Sequence, residues 1–448
     1  MYDSHNCNCR RLWLVIASLL FLSVECISQT VNDTYEIAPW QGFRSAAISY
    51  TFDDNCPNQL GIAVPMFDQF GYKLTLFTVT SPTWGWKADW SGLQKAASEG
   101  HEIASHTVTH ANFSTLADSA QKTELESSQD TINVHIAGQR CITIAYPYCA
   151  TGNSAMVANY YLAARGCSGQ VVSKTPADFM NISSFVCGNQ GLNTSTAMES
   201  KADEAASVNG WCVYLMHGIN GTEPGAYSPI SQDTILATLQ YMKNNPQKFW
   251  VAPFGTVTKY IRERNSASVS ESSSSADSVV VQVTDKLGSG YFDVPLTIRR
   301  PLPEKWDSIL VLQNGGTMSS WISGTDTARY AVFEAVPNGG NVTIVGKTRV
   351  QVGVRSLPNV PSTFALYQNY PNPFNPTTRI GFRIADVGFV SLKVYDTLGR
   401  EVATLVNRRE NPGYHTVSFN AAGLSSGVYF YAIQAGSFNI SRRMVLIK

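Results

Sequence analysis

From residue 40 to residue 260, short runs rich in β-branched and aromatic residues alternate with longer segments of helical character. Residues 46–51, 73–79, 102–105, 142–145 and 212–216 read as strands, and 93–98, 114–132 and 154–164 as helices. This alternation predicts βα units around a parallel sheet, with closure into a barrel left open. The region ends on Trp250-Val251-Ala252-Pro253. Residues 266–278 carry Ser, Ala and Glu without an apolar period and are expected to be a flexible linker. Beyond them, 279–283, 308–312 and 342–345 are apolar runs separated by Gly, Pro and Asn, the pattern of a small β-sandwich over 279–355. A further β-rich module is expected over 361–448, with residues 423–429 as a tight turn into an exposed strand. The fold class is therefore α/β, an irregular (β/α) barrel over 29–265 followed by two small all-β sandwich domains.

Residues 1–28 read as a signal peptide. Arg10-Arg11 precede an apolar stretch over 12–22, and Cys26-Ile27-Ser28 offers a small-residue cleavage site. That stretch is shorter than the roughly 20 residues needed to span a bilayer. No other segment is longer and as apolar, so no stable transmembrane segment is expected. Formal charge is zero overall, but residues 31–265 hold 14 Lys+Arg against 19 Asp+Glu and residues 353–448 hold 10 against 4. Neither imbalance is the dense basic run of a nucleic-acid binder, so no nucleic-acid partner is expected. Cleavage would leave Cys56, Cys141, Cys149, Cys167, Cys187 and Cys212, an even set that favours disulfides in an oxidising compartment, with about fifteen pairings open.

Two clusters carry candidate chemistry. Asp53-Asp54 follows one strand and His106-x3-His110 follows another. Asp54, His106 and His110 supply one oxygen and two nitrogen ligands and leave a coordination position open, while Asp53 stays available to take a proton. Each residue alone has an ordinary structural role open to it. Asp53 could cap a turn, and a lone histidine such as His217 could be a hydrogen-bonded core residue.

Thr51-Phe52-Asp53-Asp54 and His106-Thr107-Val108-Thr109-His110 resemble the first two motifs of the polysaccharide deacetylase family (NodB-homology, carbohydrate esterase family 4). Tyr146-Pro147-Tyr148 is similar to the third motif and Leu215-Met216-His217 to the last, over roughly residues 40–260. The resemblance implies a barrel with its site at the C-terminal strand ends. It assigns Asp54, His106 and His110 to a divalent metal, zinc by default, with cobalt, nickel or manganese as alternatives. It makes Asp53 the general base and His217 the general acid, with the backbone N–H of Tyr148, after Pro147, as oxyanion donor. The implied substrate is an N- or O-acetylated polysaccharide. Two positions depart from the family pattern. Ala145 stands where an Arg usually contacts the base, and Cys149 where a Gly is common. Arg140 and Arg165 are candidates to replace that Arg, and Asp178 is the candidate for the fourth motif. Trp84, Trp86 and Trp90 could stack on sugar rings or pack in the core. His101 and His135 match no motif.

The C-terminal module carries a second resemblance. Leu366-Tyr367-Gln368-Asn369-Tyr370-Pro371-Asn372-Pro373-Phe374-Asn375-Pro376-Thr377-Thr378 is similar to the opening of a type IX secretion C-terminal sorting domain, and Tyr395-Asp396-Thr397-Leu398-Gly399-Arg400 continues the pattern. It implies type IX secretion machinery as a partner and a secreted or cell-surface protein exported across the outer membrane. Three activities are consistent with these residues: a metal-dependent deacetylase, a non-catalytic carbohydrate-binding protein that retains the barrel, and a non-haem iron oxygenase built on two His and one carboxylate. The adjacent Asp53 and the acid candidate His217 suit hydrolysis best.

Overall fold

A computed structural model describes residues 34–448 apart from 221–224, 289, 326–327, 348–363, 386–387, 411–412 and 437, so the expected signal peptide over 1–28 lies outside the described residues. The chain divides into two compact units, 1–349 and 350–448.

In the first unit a short β1 (Glu36–Ile37) precedes β2 (Ala46–Asp53), β3 (Thr75–Thr78), β4 (Glu102–Ser105), β5 (Thr143–Ala145), β6 (Ala163–Arg165), β7 (Phe185–Val186), β8 (Trp211–Met216) and β9 (Phe249–Val251). Strands β2 to β8 form a curved parallel sheet in the order β6-β5-β4-β3-β2-β8-β7, with β9 beside the first half of β2. All eight residues of β2 are buried, which is why it reads as a near-continuous apolar run. The crossover helices are α1 (Val64–Phe70), α2 (Trp90–Ser98), α3 (Asp118–His135), α4 (Ser154–Val157), α5 (Ser195–Ser207) and α6 (Gln232–Asn244), and α7 (Phe254–Ser266) follows β9. Side-chain caps start several of them: Asp89 accepts from the Gly92 N–H, Thr194 from Ala197 and Ser231 from Thr234. Gly71, left-handed at φ 73°, ends α1.

Alternation along the strands sends side chains into two layers. Tyr50, Phe52, Ile103 and Ile144 pack outward against Val64, Leu125, Met198 and Leu239 of the helices. Ala47, Phe77, Ala104, Ala145, Ala163 and Val213 belong to a second cluster on the inner face. The irregular barrel is thus an incomplete (β/α) barrel, as the strand–helix alternation predicts. One helix differs from expectation. The segment 154–164 is helical only through Val157, because Tyr161 is buried with its hydroxyl on the Leu125 carbonyl and the chain then enters β6.

The expected linker is not one. Residues Ser268–Ser274 form β10, which pairs antiparallel with β11 (Ser278–Thr284). Val269 is buried, and Glu271 accepts from the Tyr35 hydroxyl at 2.7 Å and pairs with Arg300, so a serine-rich run becomes an edge strand anchored by two residues. The remaining strands of this part are β12 (Leu296–Pro301), β13 (Ser308–Gln313), β14 (Gly316–Met318), β15 (Ser320–Thr325), β16 (Ala328–Ala335) and β17 (Val342–Lys347). They form two antiparallel sheets, β1-β12-β16-β15 and β10-β11-β17-β13-β14. The sandwich therefore starts before residue 279 and borrows β1 from ahead of the barrel, while the expected boundary at 355 lies outside the described residues. Its core is continuous with the barrel interior: Val269, Val281, Leu296 and Ile298 share one cluster with Trp211, Phe254, Val257 and Tyr260.

The second unit comprises β18 (Ala365–Leu366), β19 (Thr377–Ile384), β20 (Gly388–Tyr395), β21 (Glu401–Glu410), β22 (Gly413–Asn420), β23 (Gly427–Ala435) and β24 (Phe438–Leu446). They form antiparallel sheets β18-β19-β22 and β21-β20-β23-β24 around Ile380, Phe382, Leu392, Tyr431 and Met444. The strand after the 423–429 turn is not exposed along its length. As β23 it lies between β20 and β24 and buries alternate residues. No described helix is long and apolar enough to cross a membrane.

Cysteine usage meets the expectation of disulfides in part. Cys149 and Cys167 form a disulfide, whereas Cys141, Cys187 and Cys212 are buried thiols inside strands or against them, where they pack as small apolar residues.

Helix α7, between barrel and sandwich, carries an ionisable group that cannot easily charge. Glu263 is fully buried, accepts from the Val294 N–H at 3.2 Å through Oε1, and leaves Oε2 without a partner among the described residues. Burial pushes its carboxyl up to about 8, helped by Asp285 and Asp293 and opposed by Lys259. A carboxyl raised in the fold costs stability as pH climbs from its unfolded value toward its folded one. Glu263→Gln is expected to raise the melting temperature at pH 8, by roughly 2–4 °C for each kcal/mol relieved, and to do much less at pH 5. Calorimetric melts at the two pH values check this, and an equal effect at both would contradict it.

Candidate metal centre

Every motif residue lies just past, or at, the C-terminal end of a parallel strand, so the sheet brings them to one rim. Asp53 ends β2 and Asp54 follows it. His106 follows β4, Pro147 and Tyr148 follow β5, Arg165 ends β6, and His217 follows β8. Asp54 Oδ1 lies 3.2 Å from His110 Nε2 and 3.5 Å from His106 Nε2. Four ligands about 2.1 Å from a tetrahedral centre would be separated by about 3.4 Å, which these spacings straddle. The ligand atoms of Asp54, His106 and His110 all lie within 4.8 Å of one another. His106 Nδ1 donates to the Ala145 carbonyl at 2.9 Å, which fixes the ring tautomer and leaves Nε2 as an acceptor toward the centre. Asp54 Oδ1 is buried without a hydrogen-bond partner among the described residues, so the donor set fits a divalent cation.

Charge tuning follows from the packing. Burial pushes the Asp54 carboxyl up, but the close imidazoles of His106 and His110 and the charges of His106 and His217 outweigh it and hold it far below the usual carboxylate range. Burial pushes His106 down, and Asp53 and Asp54 more than offset that, so it ends above its ordinary value. His217 is left below its ordinary value, because burial dominates the pull of Asp53 and Asp54. Its Nε2 lies 3.8 Å from Asp54 Oδ2, and its Nδ1 is buried with no hydrogen-bond partner among the described residues. Asp178 does not serve it. Its carboxylate caps residues 179–181 by accepting from the Met180 N–H.

Arg165 fills the place that Ala145 leaves. Its guanidinium forms a buried ion pair with Asp53 Oδ2 and lies over the Phe77 ring, 5.3 Å from the centroid. Ala145 and Arg165 are register partners across β5 and β6, so the arginine comes from the neighbouring strand rather than from the same one. Arg140 is elsewhere, over the Tyr291 ring.

Several supports carry no motif signal. Glu124 of α3 accepts from the Val108 and Thr109 N–H groups at 2.7 and 2.9 Å and from the Thr109 hydroxyl at 2.6 Å, which clamps the loop between the two histidines. Gln59 donates to the carbonyls of Asp53 and His217 at 2.5 and 3.3 Å, tying β2 to β8 at the rim. The backbone is strained there: Asp54, Asn55, Thr107, His110, Tyr148 and Cys149 all have φ between 57° and 75°. Ser105 Oγ accepts from the Thr107 N–H, and Thr107 Oγ1 from the His110 N–H, so local hydrogen bonds stabilise the unusual turn.

Aromatic rings border the rim. Trp84 donates to the Asp54 carbonyl and lies 4.8 Å from the His110 ring, and Tyr148 lies 4.7 Å from that ring with 68 % of its surface exposed. Tyr227 packs edge-on to His217 at 5.2 Å. Trp90 stacks on His135 instead, and Trp86 lines a neighbouring cavity of about 710 Å³. His101 is buried between the Leu74 N–H and Asp68, a structural role.

Comparison with known proteins identifies the class. Residues 42–163 match the polysaccharide deacetylase family, and residues 368–448 match the secretion system C-terminal sorting domain. The chain is thus similar to polysaccharide deacetylases over 42–163, and its C-terminal match indicates export by type IX secretion to the cell surface or the extracellular space. Among curated proteins it is 29% identical over 330 residues to a gellan lyase of Bacillus sp, covering 69% of this chain and 13% of that protein. It is 34% identical over 104 residues to a probable peptidoglycan-N-acetylglucosamine deacetylase of Arthroderma benhamiae, covering 23% and 24%. The chain therefore spans a quarter or less of the length of these relatives. Among solved structures, it matches the Xyl-CE4 domain of a multidomain xylanase from the hindgut metagenome of Trinervitermes trinervoides (18% identity, TM-score 0.34, 47% and 88% coverage). It also matches a family 4 acetyl xylan esterase from Clostridium thermocellum (16% identity, TM-score 0.32, 47% and 89% coverage).

Glu124 gives this centre a test beyond its ligands. Glu124→Ala is expected to weaken zinc affinity by about 10–100-fold, the usual effect of removing a group that orients a metal ligand. Competition against a chromophoric chelator measures it, and unchanged affinity would show that the 107–110 turn holds itself.

Proposed function

We propose that the chain is a secreted, metal-dependent hydrolase that removes acetyl groups from an N- or O-acetylated polysaccharide. The observation that carries this reading is the convergence of five residues from three strands. Asp54, His106 and His110 face one centre, while Asp53, held by Arg165, and His217 approach it separately. The family match and the relative named for peptidoglycan N-acetylglucosamine deacetylation support the same chemistry.

Asp54, His106 and His110 would hold the divalent metal, zinc by default. When bound, that ion supplies Lewis acidity, lowering the pKa of water and polarising a carbonyl. Asp53 takes a proton from the attacking water, and its ion pair with Arg165 keeps its carboxylate oriented for that transfer. As the acetyl carbonyl becomes tetrahedral, the Tyr148 N–H, presented after Pro147, donates a hydrogen bond to the oxygen that gains charge. His217 donates a proton to the departing sugar nitrogen or oxygen. An acid and a base on separate strands are what hydrolysis of an acetamide or ester requires. Retention of a charge partner for Asp53 speaks against the non-catalytic carbohydrate-binding alternative, and the acid on β8 speaks against an oxygenase.

Asp53→Asn and His217→Ala are each expected to lower acetate release by about 10²–10⁴-fold at unchanged metal content. The assay uses acetylated chitin oligomers, acetylxylan and peptidoglycan fragments with zinc-loaded protein. Absence of acetate release by the wild type from all three would sink the enzymatic reading.

A further inference from the structure

Arg165 and Tyr148 act on the same reacting centre but belong to different strands, and little holds those strands together at the rim. β6 is a three-residue strand at one end of the sheet order. Its pairing with β5 stops at Ala145 and Arg165, and the last backbone hydrogen bond runs from the Tyr146 N–H to the Arg165 carbonyl at 3.1 Å. Beyond that point one chain enters the left-handed pair Tyr148 and Cys149, and the other runs on to Cys167. The next cross-link is covalent. Cys149 and Cys167 are disulfide-bonded with Cα atoms 5.7 Å apart, one residue from Tyr148 and two from Arg165.

We infer that the Cys149–Cys167 disulfide is a positioning element of the active site, fixing the Arg165 guanidinium and the Tyr148 N–H relative to each other. The inference rests on the deacetylase reading given above. Three observations carry it. Arg165 Nε has no hydrogen-bond partner among the described residues, so the guanidinium is located by its own backbone, by Asp53 and by contact with Phe77. A shift of β6 is therefore passed directly to Asp53. Tyr148 and Cys149 both sit at left-handed φ, a conformation that persists only when the surroundings impose it. And with the arginine on β6, no single loop backbone sets the distance from the base's partner to the oxyanion donor, so a tether between the loops takes over that task. Displacements of about 1 Å at such groups cost on the order of 100-fold in rate.

The full chain, zinc-loaded, is compared as wild type, Cys149→Ala/Cys167→Ala, Arg165→Met and the triple variant. The cysteine pair variant is expected to lose about 10-fold in kcat with KM and zinc content within about twofold of wild type. Because the disulfide acts through Arg165, the triple variant should be no slower than Arg165→Met, a non-additivity that a merely stabilising bridge would not give. Hydrogen exchange at the Tyr146 amide should quicken while amides of β2 and β4 keep their rates. Should the cysteine variant not fold, the folded wild type is reduced with a water-soluble phosphine. The phosphine and one water become the phosphine oxide, and Cys149 and Cys167 take the two electrons and two protons as thiols. Additive losses, an unchanged kcat, or unchanged exchange at Tyr146 would overturn the inference. A wild type that releases no acetate overturns the deacetylase reading instead, and the exchange arm then still decides whether the bridge orders this edge.

Discussion

The rim of the barrel is organised around one buried ion pair, Asp53 with Arg165, which joins strands 112 residues apart in sequence. Both side chains are almost fully buried, and a lone charge in either position would be strongly unfavourable, so each requires the other. Reaching Asp53 from β6 takes the long arginine side chain across the inner face of the sheet. Ala104, Ala145 and Ala163 lie on that face, and Phe77 lies beneath the guanidinium. A large residue at any of those three alanines would compete for the same space. Ala145, which in sequence looks like the loss of a catalytic support, is thus the vacancy that lets the support come from next door. Its backbone is used as well, since its carbonyl fixes the tautomer of His106.

Residues outside the motifs hold the motif residues in conformations they would not adopt alone. Left-handed φ at Thr107 is costly for a β-branched residue, and the turn containing it is held by Ser105, by Thr107 itself and above all by Glu124 from α3. Gln59 does the equivalent for the ends of β2 and β8, and Asn55 donates to the carbonyls of Val79 and Trp86 to hold the loop bearing Trp84. The side chains of Asp54, His106 and His110 are therefore held close together by the fold itself. The strain and the unpartnered Asp54 oxygen are compensated by the helices and strands behind them.

The grouping of Asp54, His106 and His110, the strand-end placement of each motif and the parallel sheet were legible because each depends on local pattern: short apolar runs, two adjacent carboxylates, and His at i and i+4. The supports were not. Arg165 could be named only as one of two candidates, because residues 154–164 have helical composition and conceal the three-residue β6 that aims it. Glu124 looks like any acidic residue on a solvated helix, and only tertiary packing turns it toward the 107–110 turn. The serine run at 268–274 lacks apolar periodicity yet forms a strand, because Val269 and Glu271 alone find partners supplied by distant segments. The cysteines were legible only in part for a related reason: one disulfide forms, but an even count says nothing about which sulfurs meet, and Cys141, Cys187 and Cys212 end in positions where a buried thiol packs well.

That the sandwich is not a spacer follows from where its core lies. Trp211 and Ala47 are at the N-terminal ends of β8 and β2, and they share a cluster with α7 and with Val269, Val281, Leu296 and Ile298 of the sandwich. The sandwich therefore covers the end of the barrel opposite the metal-ligand rim. In barrel enzymes that end contributes stability while the other carries chemistry. The sandwich leaves the rim uncovered, with Tyr148 and Tyr227 exposed at it. The stability of the barrel then depends on α7 staying packed between the two layers, which makes the buried, reluctantly ionised Glu263 a weakness in the floor rather than a part of the site.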